Sequence, residues 1–289
     1  MKISVSRFWK NRGTTLGLAF FLLFAVAPIV WCLGYALAYS FGLAGLLSAG
    51  WTTKYWTQAI TSGELPRSFL FSAWVALAAI FLSGVTALGL VLGFRRSLQR
   101  GAISSLIYLP MALSGLVAAF LVSRWLSGAG LFSRLACAFG FVRDPQHFPS
   151  LVNDSLGWGI IAAHWLLAAP FFTVMMLQIY ETEKIGSLRQ LATSLGASRW
   201  QSLRRVAVPV LLQRSSTNLL LYFIFVLGSF EIPLVVGPQN PLVISMLTRR
   251  KFGLFDLAQK PEAFVISVVY TALVLFFLLF IFRKAPAHE

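Results

Sequence analysis

Charge is sparse in this chain. Only 11% of its 289 residues are Asp, Glu, Lys or Arg, beside 58% hydrophobic residues and 26 Phe. A water-soluble domain could not cover its own surface with that balance, so the composition points to an integral membrane protein. Histidine is also scarce, with three in all, and neither His-Glu-x-x-His nor Gly-x-Ser-x-Gly occurs. A metalloprotease or hydrolase therefore has nothing to stand on. His164 sits alone in an apolar stretch, where a packed, hydrogen-bonded histidine is the plain reading and a ligand or proton relay the alternative. The two cysteines, Cys32 and Cys137, offer neither metal-ligand spacing nor a disulfide framework and read as small apolar fillers. No Gly-x-x-x-x-Gly-Lys-[Ser/Thr] is present, so this chain has no phosphate-cradling loop for ATP. No internal repeat is evident either, which weakens a transporter built from inverted halves.

What the chain has instead is six long apolar stretches, at about 14–40, 68–94, 102–126, 156–180, 207–233 and 263–282. Each meets the roughly 20-residue length needed to cross a ~30 Å hydrocarbon core as a helix. None shows the alternation of barrel strands, and inside lipid the backbone must satisfy itself. The first stretch follows a basic segment and carries Ala36-Leu-Ala38, which looks like a signal cleavage site. It is too long for a signal h-region of about 7–15 residues, and an uncleaved first helix is expected. Pro28, Pro110 and Pro170 fall within apolar runs and are expected to kink them. A short interfacial helix is expected where Leu131, Leu135 and Ala138 recur before Gly140.

The net charge of +15 is unevenly placed. Fifteen of the 24 basic residues precede the first stretch, fill the second and fourth connections, or follow the sixth. The positive-inside rule then puts both termini and those connections in the cytoplasm. Arg249, Arg250, Lys251 and Lys260 oppose it, since they fall in a connection that must lie outside. The basic face suits anionic lipid and a partner protein rather than nucleic acid.

The most informative segment is polar and basic, between the fourth and fifth stretches: Gln190-Leu-Ala-Thr-Ser-Leu-Gly-Ala-Ser198, continuing through Arg199, Trp200 and Arg205 to Pro209. Leu188, Leu191, Ala192 and Leu195 recur at helical spacing, which predicts a helix with an apolar stripe for a partner's groove. Gly196 is the residue best able to end that helix and let another start at a sharp angle. An amphipathic connector lying on the membrane surface is the other reading.

This segment resembles the "EAA" loop of ABC importer permeases, by which the permease docks onto an ATPase. The resemblance covers roughly residues 65–283. Gly130-Leu-Phe-Ser-Arg-Leu135 with Gly140 looks like the external segment of such permeases, and Ser229-Phe-Glu-x-Pro233 is similar to the polyamine, thiamine and ferric-ion branch. The resemblance implies an all-α type I importer permease fold with six transmembrane helices, N-in and C-in. It implies residues 65–283 as the transporter core with the docking loop at 184–209; residues 1–64 are expected to be an N-terminal cytoplasmic segment, a first helix and an outer loop, and 284–289 a cytoplasmic tail. Leu188, Gln190, Leu191, Ala192, Leu195, Gly196, Ala197, Ser198 and Trp200 become the ATPase-docking residues. The chain departs from the family at Gln190, where a Glu is usual, at Gly186, where a Pro is common, and at Gln213, where a second Pro often follows. Losing the Glu removes a charge-assisted hydrogen bond and leaves more of the docking to apolar fit.

The partners so implied are two ATPase subunits carrying ATP and Mg, a second permease, and an extracytoplasmic solute-binding protein, in a bacterial inner membrane. This chain itself binds no cofactor or metal in that reading. Glu231, Gln178 and Asn218 are the candidate solute-path residues, because acids that persist in spans usually face a cavity or a partner. Glu231 can instead pair with a basic group such as Arg124, and polar residues in spans often only join helices. The rival function is an ion-coupled secondary transporter or channel that uses Glu231 and His164 as relays.

Overall fold

The computed structural model describes residues 12–45, 48, 50–99, 101–142, 144 and 148–284, which are helical throughout their regular elements. Six helical segments are long and apolar enough to cross a membrane: Thr15–Ser40, Glu64–Leu98, Gly115–Ala138, Trp158–Thr182, Arg199–Leu227 and Leu257–Phe280. The chain divides into two compact units, residues 1–64 with 248–273 and residues 65–247 with 274–289.

In the first unit, α1 (Arg12–Phe21) passes through a π turn at Leu22–Val26 into α2 (Ala27–Ser40), followed by α3 (Lys54–Thr61). The π turn sits just ahead of Pro28, whose ring would clash with a carbonyl in the turn before it. Widening that turn relieves the clash without ending the helix. Nothing in the apolar window of this span is buried, so its Leu, Phe and Trp side chains are available to lipid. Tyr39 stacks on Phe264, with ring centroids 4.3 Å apart. Lys251 Nζ lies 2.9 Å from Glu64 Oε2 and 3.0 Å from Glu262 Oε2, and Arg250 also holds Glu64 at 2.6 Å. Burial would push the Lys251 ammonium down, but the two carboxylates reverse this and hold it above the ordinary lysine value.

The second unit is built on α4 (Glu64–Leu98) and α8 (Trp158–Thr182). Between them come α5 (Ala102–Leu106), a 3-10 turn at Pro110–Ala112, α6 (Gly115–Leu126) and α7 (Leu131–Ala138). The expected span 102–126 is thus broken. Pro110 cannot continue a helix from α5, and Ser114 restarts one by accepting a hydrogen bond from Val117 N at 3.3 Å. The short helix expected before Gly140 is α7, and Cys137 lies within it. Helix α8 runs unbroken past Pro170.

Small residues fill the helix contacts: Ala76, Ala79, Ala87, Ala118, Ala119, Ala163 and Ala168 are buried. In lipid no hydrophobic force distinguishes helix from tail, so close approach at small side chains is what joins helices. Buried hydroxyls are satisfied within their own helices, as with Ser83 to Ala79 O at 2.7 Å and Thr173 to Ala169 O at 2.6 Å. Between helices, Trp165 Nε1 donates to Thr86 Oγ1 at 3.0 Å and Ile244 N to Ser72 Oγ at 2.8 Å.

The polar connection after α8 forms α9 (Ile185–Ser194) and α10 (Arg199–Ser202), then a π turn at Leu203–Ala207 that precedes Pro209 as the first one precedes Pro28. Helix α11 (Val208–Leu227) follows, then α12 (Glu231–Val236), α13 (Ile244–Gly253) and α14 (Lys260–Lys284). The fifth expected stretch ends early. A break at residues 228–230 separates α11 from α12, so Glu231 opens a new short helix instead of closing helix 5.

Candidate docking site and solute path

The segment 184–209 is held by its base and free at its tip. Lys184 takes a left-handed backbone (φ 48°), which turns the chain out of α8 and into α9. Ile185 at the start of α9 and Ala207 in the π turn are both buried, in one cluster with Val91, Met176, Tyr180 and Leu211. Around this base, Arg214 Nε meets Glu183 Oε1 at 2.8 Å, tying α11 to the end of α8. Two helical ends and a core cluster therefore fix both ends of the segment.

Its tip is built from two caps placed back to back. At the end of α9, Gly196 N donates to Thr193 O and Ala197 N to Ala192 O, each at 3.0 Å. This is the Schellman pairing, which needs a left-handed residue between helix and exit. Gly196 supplies it with φ +91°, and a Cβ there would meet nothing within 4 Å. The glycine is thus required for its backbone, not for space. Two residues on, Ser198 Oγ accepts from Gln201 N at 3.2 Å while Gln201 Oε1 accepts from Ser198 N at 2.9 Å. That reciprocal capping box starts α10 at once.

The predicted stripe divides when placed on the folded segment. Leu188, Leu191 and Leu195 share one face of α9 and stand 42%, 60% and 80% exposed, with Trp200 at 68% on α10. Gln190 and Ser198 are also exposed, whereas Ala192 and Ala197 are half-buried. Apolar side chains this exposed beside polar ones make a face suited to a partner's groove.

The three candidate path residues are not brought together. Gln178 lies one turn from the C-terminal end of α8, and Asn218 is midway along α11, donating from Nδ2 to Met175 Sδ at 3.0 Å. Glu231 lies beyond the far end of α11. At about 1.5 Å per residue, Asn218 and the end of α11 alone are some 13 Å apart along the axis. Glu231 is exposed, and among the described residues no ion pair joins it to Arg124. Its carboxylate instead lies over Gly115, the first residue of α6, where an added Cβ would stand 3.1 Å from Oε2.

Sequence reasoning missed what sets the break before Glu231. His164 is fully buried in α8, with Nε2 3.1 Å from Ser229 Oγ, and Tyr222 donates to His164 O at 3.3 Å. Ser245 Oγ in turn donates to Ser229 O at 2.6 Å. The break is therefore pinned from two sides. His164 on its own carried only the signal of a packed core histidine, and its partner lies 65 residues away.

Six spanning segments, a helical core of small residues and a capped helix pair between the fourth and fifth spans define the permease of a binding-protein-dependent ABC importer. The chain belongs to the family of binding-protein-dependent transport system inner membrane components, which matches residues 85–285. A probable ABC transporter permease of Brucella suis is 27% identical over 263 residues, covering 86% of this chain and 80% of that protein. A probable sulfate transport system permease protein of Chlorella vulgaris is 29% identical over 185 residues, covering 63% and 64% of the two chains. A crystal structure of a bacterial ABC transporter involved in the import of the acidic polysaccharide alginate shares the fold, with a TM-score of 0.66 at 19% identity over 98% of both chains.

Proposed function

We propose that segment 184–209 is the docking element for a separate ATPase, and that this chain forms half of a solute path worked by alternating access. Binding of ATP and Mg on two ATPase subunits draws the α9–α10 pair as a rigid body. The buried base at Ile185 and Ala207 passes that movement to α8 and α11. A second permease completes the path, and an extracytoplasmic binding protein delivers the solute. Both termini and the docking segment face the cytoplasm, in a bacterial inner membrane. The observation that carries this reading is the exposed row Leu188, Leu191 and Leu195 on a helix within a segment whose two ends, at Ile185 and Ala207, are anchored.

The test is capture of an ATPase from native membranes by the tagged chain, followed by solute uptake in vesicles. Uptake that requires ATP and is lost with Leu191→Ser supports the proposal. Uptake that persists without ATP and collapses with the proton gradient overturns it in favour of ion coupling. Glu231 is assigned to solute contact at the outer end, where a carboxylate favours a cationic or amine-bearing solute. Glu231→Gln should then reduce solute-stimulated ATP hydrolysis and leave assembly unchanged. Full stimulation by the variant would remove Glu231 from the path.

A further inference from the structure

The docking segment shares a cleft with the end of α4 that the coupling role does not explain. Helix α4 leaves helical geometry at Phe94 (φ −120°, ψ 15°), and the following turn opens a cavity of about 360 Å³ lined by Arg95, Arg96, Tyr180 and Arg189 among others. Small-molecule pockets occupy roughly 300–1,000 Å³, so a headgroup-sized ligand fits.

The three guanidinium groups are not equally engaged. Arg95 lies over the Tyr180 ring at 4.4 Å and reaches Glu181 Oε1 at 3.6 Å, and that same oxygen accepts from Gln99 Nε2 at 2.9 Å. Among the described residues, Arg96 and Arg189 form no ion pair. Arg189 Nε is buried and has no hydrogen-bond partner. A buried guanidinium nitrogen left without an acceptor costs the full desolvation of that group, so such atoms mark where an acceptor belongs. No lining residue is an acid, and Glu181, the acid that Arg95 reaches, is already shared by Arg95 and Gln99.

We propose that this cleft is an anion site for a phosphate group, supplied by the headgroup of an anionic phospholipid. Planar, permanently charged guanidinium forks match phosphate oxygens bidentately, and three around one cavity neutralise a phosphate that two lysines would only attract. The cleft lies where the long apolar helices α4 and α8 end, and basic pockets between the ends of membrane spans hold anionic lipids in general. Arg189 projects from α9, so the bound phosphate clamps the end of α4 to the docking helix. This consequence for coupling rests on the docking role proposed above, whereas the site itself does not.

The test is native mass spectrometry of the purified transporter in detergent, titrated with phosphatidylglycerol, phosphatidylcholine or inorganic phosphate. Phosphatidylglycerol adducts should exceed phosphatidylcholine adducts about tenfold, and Arg96→Gln and Arg189→Gln should each remove most of that preference. Arg96→Lys and Arg189→Lys, which keep charge but lose the fork, should give intermediate binding; they decide the matter if a Gln variant does not fold. Displacement of the lipid by millimolar inorganic phosphate would identify a soluble phosphate as the occupant of the same site. Equal binding of the two lipids with no effect of phosphate, or wild-type preference in both Gln variants, overturns the proposal. No ATPase is needed for this readout, so its failure is separable from failure of the docking proposal.

Discussion

At the scale of single residues, Gly196 and Gly115 act for different reasons. Gly196 meets no neighbour but holds φ +91°, so any L-residue there is strained by roughly 1–2 kcal/mol and a β-branched one by more. Gly196→Ala should weaken coupling and Gly196→Val should abolish most of it, read as solute-stimulated ATP hydrolysis of the reconstituted complex with insertion unchanged. Wild-type coupling in Gly196→Val would show that the Schellman turn is not needed. Gly115→Ala works through space, because its Cβ would press on the Glu231 carboxylate, the far end of a flexible side chain. Folding should be unaffected, while the solute concentration for half-maximal ATPase stimulation rises severalfold if that carboxylate touches solute. Gln190→Glu restores a charged acceptor at an exposed position and should leave assembly intact with at most a modest gain in ATPase affinity.

At the scale of elements, helix α9 has a buried root and an exposed face, and mutation should separate them. Ile185→Ala empties a fully buried site and should cost about 2–5 kcal/mol of stability. Leu191→Ser removes an exposed side chain and should change stability by less than about 0.5 kcal/mol while ATPase capture falls. Thermal denaturation in detergent beside a pull-down distinguishes the two, and equal melting losses would place Leu191 in the core. The same contrast explains what could be read in advance. The helix pair was legible because periodicity and a glycine stop are local signals, as at Leu188, Leu191 and Gly196. Whether a stripe residue faces the core or solvent is decided by partners far along the chain, so Ala192 could not be told from Leu191. The broken third span was hidden for another reason: Pro110 and Ser114 stop and restart a helix inside a run whose composition never becomes polar. The three path residues were chosen by polarity alone, and polarity says nothing of depth.

At the scale of the whole molecule, orientation rests on the count of basic residues, and one connection opposes it. Arg250 and Lys251 in that connection are paired with Glu64 and Glu262. The rule governs insertion and counts Lys and Arg with little regard to neighbouring acids, so this pairing does not rescue it. Six spans put residues 54 and 249–251 on one side, and residues 96 and 198 on the other. Lys251 is nearly buried, so Arg249, which is exposed, is the better labelling position, and Lys54, Arg96 and Ser198 are exposed as well. His288, a further cytoplasmic position by the same reading, lies outside the described residues. In a background with Cys32 and Cys137 replaced, single cysteines at 54 and 249 should react with an impermeant maleimide in intact spheroplasts. Those at 96 and 198 should react only after permeabilisation. Reversal at all four positions would invert the molecule and remove the docking segment from ATP. Reaction at 54 but not 249 would demand an odd number of crossings between them; the break before α6 would then be a re-entrant turn, because α6 spans only about 18 Å of a ~30 Å core by itself.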